Sequence, residues 1–329
     1  MTREIVKSIV AAVLAVAACG CEQMNPEDIP STREISFTPA TADVMTRGYS
    51  ETDAFYETGI AYLHSATKPD PAARTMQISS YLHPQNGAEG GYFFNKTFSF
   101  ANDPEGRLWW NTNTVGGTHD PIFWPVGGTL DFLAYSVSDT DSKGVVAEWD
   151  ESNAASKLTL TIPGENSQND ILFAGACGVC ANSTSSAVDL DFRHAQAWLE
   201  FELTGVTGIS LTKIVIEDAY NAGTLTIRNG NGDATATWSF TSELRKDITF
   251  DNNYGVHELN GTAQYMDMLI PQQAKTSFSL YYVDSTVPGV PQTEHKVTID
   301  TDKKTWLMGE RYIYKINISP SEVTVAPEE

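Results

Sequence analysis

Cys177 and Cys180 stand in the stretch GACGVCANSTSS, residues 175–186, at a spacing that suits either dithiol exchange or half of a zinc site. Thioredoxin-type exchange needs its first thiol at a helix N-terminus, where the helix field lowers the pKa. Here the pair follows the strand-like residues 170–174 and lies among Gly, Ala, Asn and Ser, which predicts a loop. Zinc would need two more ligands, and the nearest candidate, His194, is a lone histidine in a strand pattern. A local disulfide or idle thiols is the expectation, with a redox or metal role as the alternative.

The other arrangements that could do chemistry are weaker. Asp139, Asp141 and Asp150 imitate a calcium loop, but Lys143 puts a cation at a ligand position and Asp150 is too short for the bidentate role of a glutamate. His64, His83, His119, His194, His257 and His295 include no two at metal-ligand spacing. There is no G-x-S-x-G elbow, phosphate loop or H-E-x-x-H helix. No enzyme, cofactor or metal site is therefore expected.

Cys19 is a different matter. Arg3 and Lys7 precede ten apolar residues from Ile9 to Ala18, the pattern of an export signal and too short a run to span a bilayer. Val16-Ala17-Ala18 leads directly into Cys19, the spacing of a bacterial lipobox, so residues 1–18 read as a lipoprotein signal peptide and Cys19 as the lipid anchor. Cys21 is the rival acceptor, with a poorer residue three positions before it. Residues 19–33, rich in Pro and acidic side chains, read as a flexible tether. The expected location is the outer membrane and then the cell surface, with membrane contact through lipid only.

Net charge is −21 and the pI about 4.5, so the surface repels phosphates and nucleic acid is not an expected partner. Apolar residues recur with a period of two along most of the chain: Leu158, Leu160, Ile162; Val188, Leu190, Phe192; Leu199, Phe201, Leu203; Tyr312, Tyr314, Ile316, Ile318. Turn signals such as Pro163-Gly164 and the run 229–233, NGNGD, separate them. The fold class is all-β, and the length predicts two β-sandwiches, an N-terminal one over 34–180 and a C-terminal one over 181–329.

Trp109-Trp110 and Phe123-Trp124 could offer flat platforms to sugar rings. In a sandwich, however, one member of each adjacent pair must point inward, and tryptophan mostly fills cores or rims. A non-polymerising, lipid-anchored glycan-binding protein using Trp109, Trp110 or Trp124 is the alternative reading.

The run from Phe123 through Trp124-Pro125-Val126-Gly127-Gly128 to Tyr135 resembles the fimbrillins, as do residues 170–174 (DILFA), 190–195 (LDFRHA) and 306–318. These are the lipoprotein-derived pilins of Bacteroidales surface fimbriae, and the likeness runs from about 34 to 325 in scattered motifs. It implies two tandem transthyretin-like (Greek-key type) β-sandwiches. It also implies polymerisation: an arginine-specific surface protease cuts beyond the first strand, here after Arg47, and removes the lipid anchor together with that strand. Ile35 and Phe37 would be the side chains withdrawn, and a strand from another copy or a related subunit would fill the groove. The candidate donor is the C-terminal tail, whose Val323 and Val325 share a parity. Arg33-Glu34 is a competing cut site, and an ordinary last strand is the competing role for the tail. Adhesion to a host or bacterial surface ligand would be an additional role.

Overall fold

The computed structural model describes residues 33–41, 75–100, 109–111, 119–137, 145–150, 157–162, 171–182, 187–230, 233–240, 245–250, 257–259, 261–273, 277–289, 292–301, 305–320 and 322–328. Among them every regular element is a strand. The first nine are β1 (Ser36–Thr41), β2 (Thr75–His83), β3 (Gly90–Phe100), β4 (Trp109–Asn111), β5 (Thr129–Val137), β6 (Val146–Asp150), β7 (Lys157–Ile162), β8 (Ile171–Val179) and β9 (Val188–His194). Then come β10 (Ala197–Gly205), β11 (Ile209–Tyr220), β12 (Gly223–Asn229), β13 (Ala234–Ser239), β14 (Arg245–Phe250), β15 (His257–Glu258) and β16 (Gly261–Leu269). The last are β17 (Gln272–Gln273), β18 (Ser277–Asp284), β19 (Glu294–Asp300), β20 (Thr305–Trp306), β21 (Arg311–Ile318) and β22 (Val323–Glu328). The all-β expectation is met.

Seven strands close into a ring in the order β1-β4-β3-β2-β5-β8-β9. Every neighbouring pair in it is antiparallel except β1 with β9, which is parallel. A four-stranded sheet, β13-β12-β7-β6, lies against the outside of the ring. The C-terminal unit packs the sheet β16-β10-β21-β22 on the sheet β14-β11-β18-β19, with Phe201, Tyr314, Ile214 and Phe278 in the core between them.

The side-chain period of two explains how the ring carries two cores. On β5, Leu130, Phe132 and Ala134 fill the ring interior, while Leu133 and Tyr135 face the outer sheet. On β8, Leu172 and Ala174 point in, and Ile171 and Phe173 point out. Strands buried on both faces read as nearly continuous apolar runs, hence LDFLAY and ILFA.

One feature differs from the expectations. The residues around Cys177 are not a loop: β8 runs on to Val179. At Gly175 the outer sheet comes close: a Cβ there would lie 2.6 Å from Asn229 Oδ1 and 2.8 Å from Ala234 Cβ. β9 completes the ring, and β12, after a detour through β11, returns to pair with β7 from Gly223↔Ile162 to Arg228↔Lys157.

Candidate functional site: the first strand and its groove

β1 is the last stave of the ring. It lies between β9, in register from Phe37↔Val188 to Thr41↔Phe192, and β4, through Ser36↔Trp110 and Phe37↔Trp109. Ile35, Ser36 and Phe37 are all buried, so the chain is sealed on both faces at this end of the strand. The Phe37 ring stands edge-on to Phe98 at 4.8 Å and to Phe132 at 5.1 Å, and Val188, Leu190 and Phe192 complete the apolar walls. Full burial of side chains of this size stabilises by about 1.5–3 kcal/mol each, so Ile35 and Phe37 make the strand a substantial plug.

The residues just ahead of β1 are held by a separate segment. Ile35 N donates to Ile122 O at 2.8 Å, Trp124 N donates to Arg33 O at 3.0 Å, and Glu34 bridges Phe123. The Glu34 carboxylate meets His119 Nε2 at 2.5 Å, and the Arg33 guanidinium donates to Ala181 O. Tyr92 OH braces the same segment by donating to Phe123 O at 2.6 Å. Burial raises the Tyr92 phenol above its ordinary pKa, which keeps that donor protonated. His119, Glu34 and Arg33 carry no sequence signature for these contacts, because their partners lie 85 and 148 residues away in the chain.

Val323 and Val325 sit on β22, at the edge of the sheet β16-β10-β21-β22. They register with Ile318 and Ile316 of β21 and pack, half-buried, on the chain's own C-terminal core. Among the described residues β22 pairs with a single neighbour, β21, and is therefore removable without breaking the rest of that sheet. Cys19, Arg47 and residues 139–144 lie outside the described residues.

The remaining candidates are dispersed. Cys177 and Cys180 are thiols, and Cys177 Sγ donates to Gly230 O at 3.3 Å. His194 is buried on β9. Among the described residues no cluster of His, Cys, Asp or Glu could hold a metal ion. Of the pair Phe123-Trp124, the tryptophan points inward, 4% exposed with its ring edge-on to Phe132, and the phenylalanine points out at 40%. Trp124 is therefore core rather than a sugar platform. Of Trp109 and Trp110, only the backbone pairing is described.

Comparison with curated proteins returns no match. Among solved structures, a candidate cell adhesion protein from Bacteroides uniformis aligns at 16% identity and a TM-score of 0.51, over 91% of this chain and 98% of its own. A second such protein, from Bacteroides ovatus, aligns at 15% identity and a TM-score of 0.49, over 90% and 96%. The fimbrial anchor protein Mfa2 from Porphyromonas gingivalis aligns at 10% identity and 0.35, over 89% and 95%. At such identities the first likeness speaks to the fold alone. A family model described as fimbrillin-like matches residues 75–328, from the first residue of β2 to the last of β22. With that match over well over half of its length, the chain belongs to the fimbrillin-like family.

Proposed function

We propose that this protein is a pilin that polymerises by strand replacement: proteolysis after Arg47 frees β1, and a donor strand from another subunit takes its place in the ring. Family membership carries the coarser role, a structural, non-enzymatic fimbrial subunit or adhesion protein at the cell surface. The observation that carries the finer reading is the place of β1. It is the first strand among the described residues, it closes the ring with a plug of two large apolar side chains, and residues 42–74, which include Arg47, join it to β2. Its loss would leave the β9 edge and an apolar trough without partners, a state that recruits another strand.

Cys19 is the proposed lipid anchor, discarded with β1 on the same cut. Val323 and Val325 are the proposed donor side chains, since their separation of two residues equals that of Ile35 and Phe37. Valine underfills a pocket shaped by phenylalanine, and residual cavity volume costs stability. A donor of this kind would therefore lose to the resident strand while that strand is tethered, which gives the covalent cut a physical purpose. Arg33 is the poorer cut site, because its carbonyl and guanidinium are both engaged in the fold and a protease binds its substrate extended and unpaired.

The test is limited digestion with an arginine-specific protease, reading the new N-terminus and the particle size together. A cut after Arg47 followed by ladder-forming oligomers is expected. Cleavage there with no change in size refutes strand replacement, and resistance of Arg47 refutes it as the processing site.

A further inference from the structure

We propose that Ala195 and Gln196 form a locked joint that fuses the groove-bearing ring and the tail-bearing C-terminal sheets into one cooperative body, so that tension crosses the subunit without bending or opening it. Its mechanical sense rests on the reading of the chain as a polymerising subunit. The joint itself rests on the contacts around two buried residues.

β9 ends at His194 and β10 starts at Ala197, so two residues link the ring to the C-terminal unit. Both are fully buried, and a buried peptide group needs a hydrogen-bond partner. The partners come from three separate parts of the fold. From the ring, Ile171 O accepts from Ala195 N at 2.7 Å, and Ile171 N donates to Gln196 Oε1 at 2.9 Å. From the outer sheet, Trp238 Nε1 donates to Ala195 O at 2.6 Å. From the turn ahead of β21, Gly309 N donates to Gln196 O at 2.8 Å, and Glu310 O accepts from Trp198 N at 2.9 Å. Met308 of the same turn packs on the core between the ring and the outer sheet, which also holds Ala195.

A second tie lies beside the first. Trp238 stacks on Phe240 with ring centres 5.9 Å apart and planes at 11°, and Phe240 stacks on Tyr220 at 4.6 Å and 19°. The Arg245 guanidinium lies 4.2 Å from the centre of the Tyr220 ring, so the stack runs from β13 of the outer sheet to β11 and β14 of the C-terminal unit. Gln272, 2% exposed, fixes the Tyr220 backbone by accepting from its N and donating to its O, each at 2.9 Å. Units joined by a bare linker move relative to one another. Here a hinge motion at 195–196 would strip buried peptide groups of their partners and part the stack. The joint also lies on a continuous route from groove to tail: β1 pairs with β9, β10 continues from β9, and β21 joins β10 to β22. A pull exerted at once on a strand seated in the groove and on β22 passes through it.

The test is native-state hydrogen exchange in rising denaturant on the full, uncut chain, so it needs neither protease nor polymer. Amides of β5 and β8 in the ring and of β10 and β21 in the C-terminal unit are expected to merge into one opening transition, the signature of a single cooperative unit. Gln196→Leu removes the acceptor of the Ile171 amide, and should raise exchange at that amide about tenfold and split the transition in two. Trp238→Phe removes the indole N–H but keeps an aromatic ring in the stack. It should split the transition as well, and it decides the matter if the first variant does not fold. Separate transitions in the parent chain, or a merged transition in every variant that folds, overturns the proposal. Failure of the cut protein to polymerise would instead sink the pilin reading and leave the joint standing.

Discussion

The ring of Phe37 stands edge-on to that of Phe98, with centroids 4.8 Å apart and planes at 88°, so the first strand is locked to β3 although β4 lies between them in the sheet. An edge-to-face pair adds about 0.5–1.5 kcal/mol beyond the area it buries. Phe37→Ala removes that pair, the contact with Phe132 and most of the plug. Chemical denaturation should show a loss of about 3–5 kcal/mol, the range for a phenylalanine deleted from a core. A loss below about 1 kcal/mol would mean that β1 contributes little to the ring.

A second relationship joins the strands of the C-terminal unit. Glu200 on β10 has a fully buried side chain and accepts from Arg311 Nε of β21 at 2.9 Å, while the guanidinium lies 4.8 Å from the centre of the Trp198 ring. Removing one partner of a buried pair leaves a stranded charge and costs about 3–5 kcal/mol. Arg311→Met should be destabilised by that amount in thermal melting. The double variant Glu200→Leu, Arg311→Met should regain most of it, and additivity of the two single changes would argue against direct coupling.

Strand existence is largely legible in the sequence. The partner of each strand is not. Leu199, Phe201 and Leu203 announce β10 by their period, and Leu158, Leu160 and Ile162 announce β7. That β7 pairs with β12 across more than sixty residues depends on how Leu225 and Ile227 pack against Leu158 and Leu160, a tertiary preference that no local pattern encodes. Period-two reading also loses its contrast where both faces are buried, as at Phe132 and Leu133. Around Cys177 small residues point to a loop when read locally, yet they belong to β8, and Gly175 answers the close approach of a second sheet. The candidate groove is half legible: Ile35 and Phe37 share a parity that the sequence shows, whereas Ala181 and His119, the partners of Arg33 and Glu34, sit too far away in the chain to be linked to them.

Gly175 tests the close approach directly. An added Cβ would lie 2.6 Å from Asn229 Oδ1, 2.8 Å from Ala234 Cβ and 3.0 Å from the carbonyl oxygen of Phe132. Two of these neighbours belong to the outer sheet and one to β5, so the methyl group cannot be relieved by one side-chain rotation. Gly175→Ala should cost about 1–3 kcal/mol by overpacking, even though alanine suits a strand better than glycine. An unchanged denaturation midpoint would mean that the outer sheet sits farther from β8.

His83 makes stability pH-dependent. Its Nδ1 faces Glu89 and its Nε2 faces Asp131, each at 3.1 Å, so only the imidazolium, donating from both nitrogens, satisfies both carboxylates. Partial burial pushes the imidazole pKa down, but the hydrogen bonds to Glu89 and Asp131 and the charges of both carboxylates outweigh it, and the pKa is raised above 6.5. A group whose folded pKa is raised contributes in full below its unfolded value, and that contribution fades as pH rises through the folded value. Melting temperatures should therefore fall between pH 6.5 and the raised pKa, and His83→Gln should flatten this part of the profile. A wild-type profile that rises through the same window would contradict the assignment.

Removing residues 320–329 separates the two roles open to the tail. β22 closes the edge of its sheet over β21, with Val323 and Val325 resting on the C-terminal core, so its deletion bares the backbone edge of β21 beside Ile316 and Ile318. Two half-buried valines and one edge ladder contribute about 2–4 kcal/mol, small against a core built around Phe201, Phe278, Trp306 and Tyr314, so the truncated chain should still fold. If β22 is only the last strand of its own unit, the truncated protein melts earlier and assembles like the parent once cut after Arg47. If β22 is the donor, the truncated protein is processed normally and remains monomeric, because every groove opened by proteolysis lacks its replacement strand. Adding back a synthetic peptide of residues 320–329 should then cap the opened groove without lengthening the protein into a polymer, and polymers that form without residues 320–329 would exclude β22 as the donor.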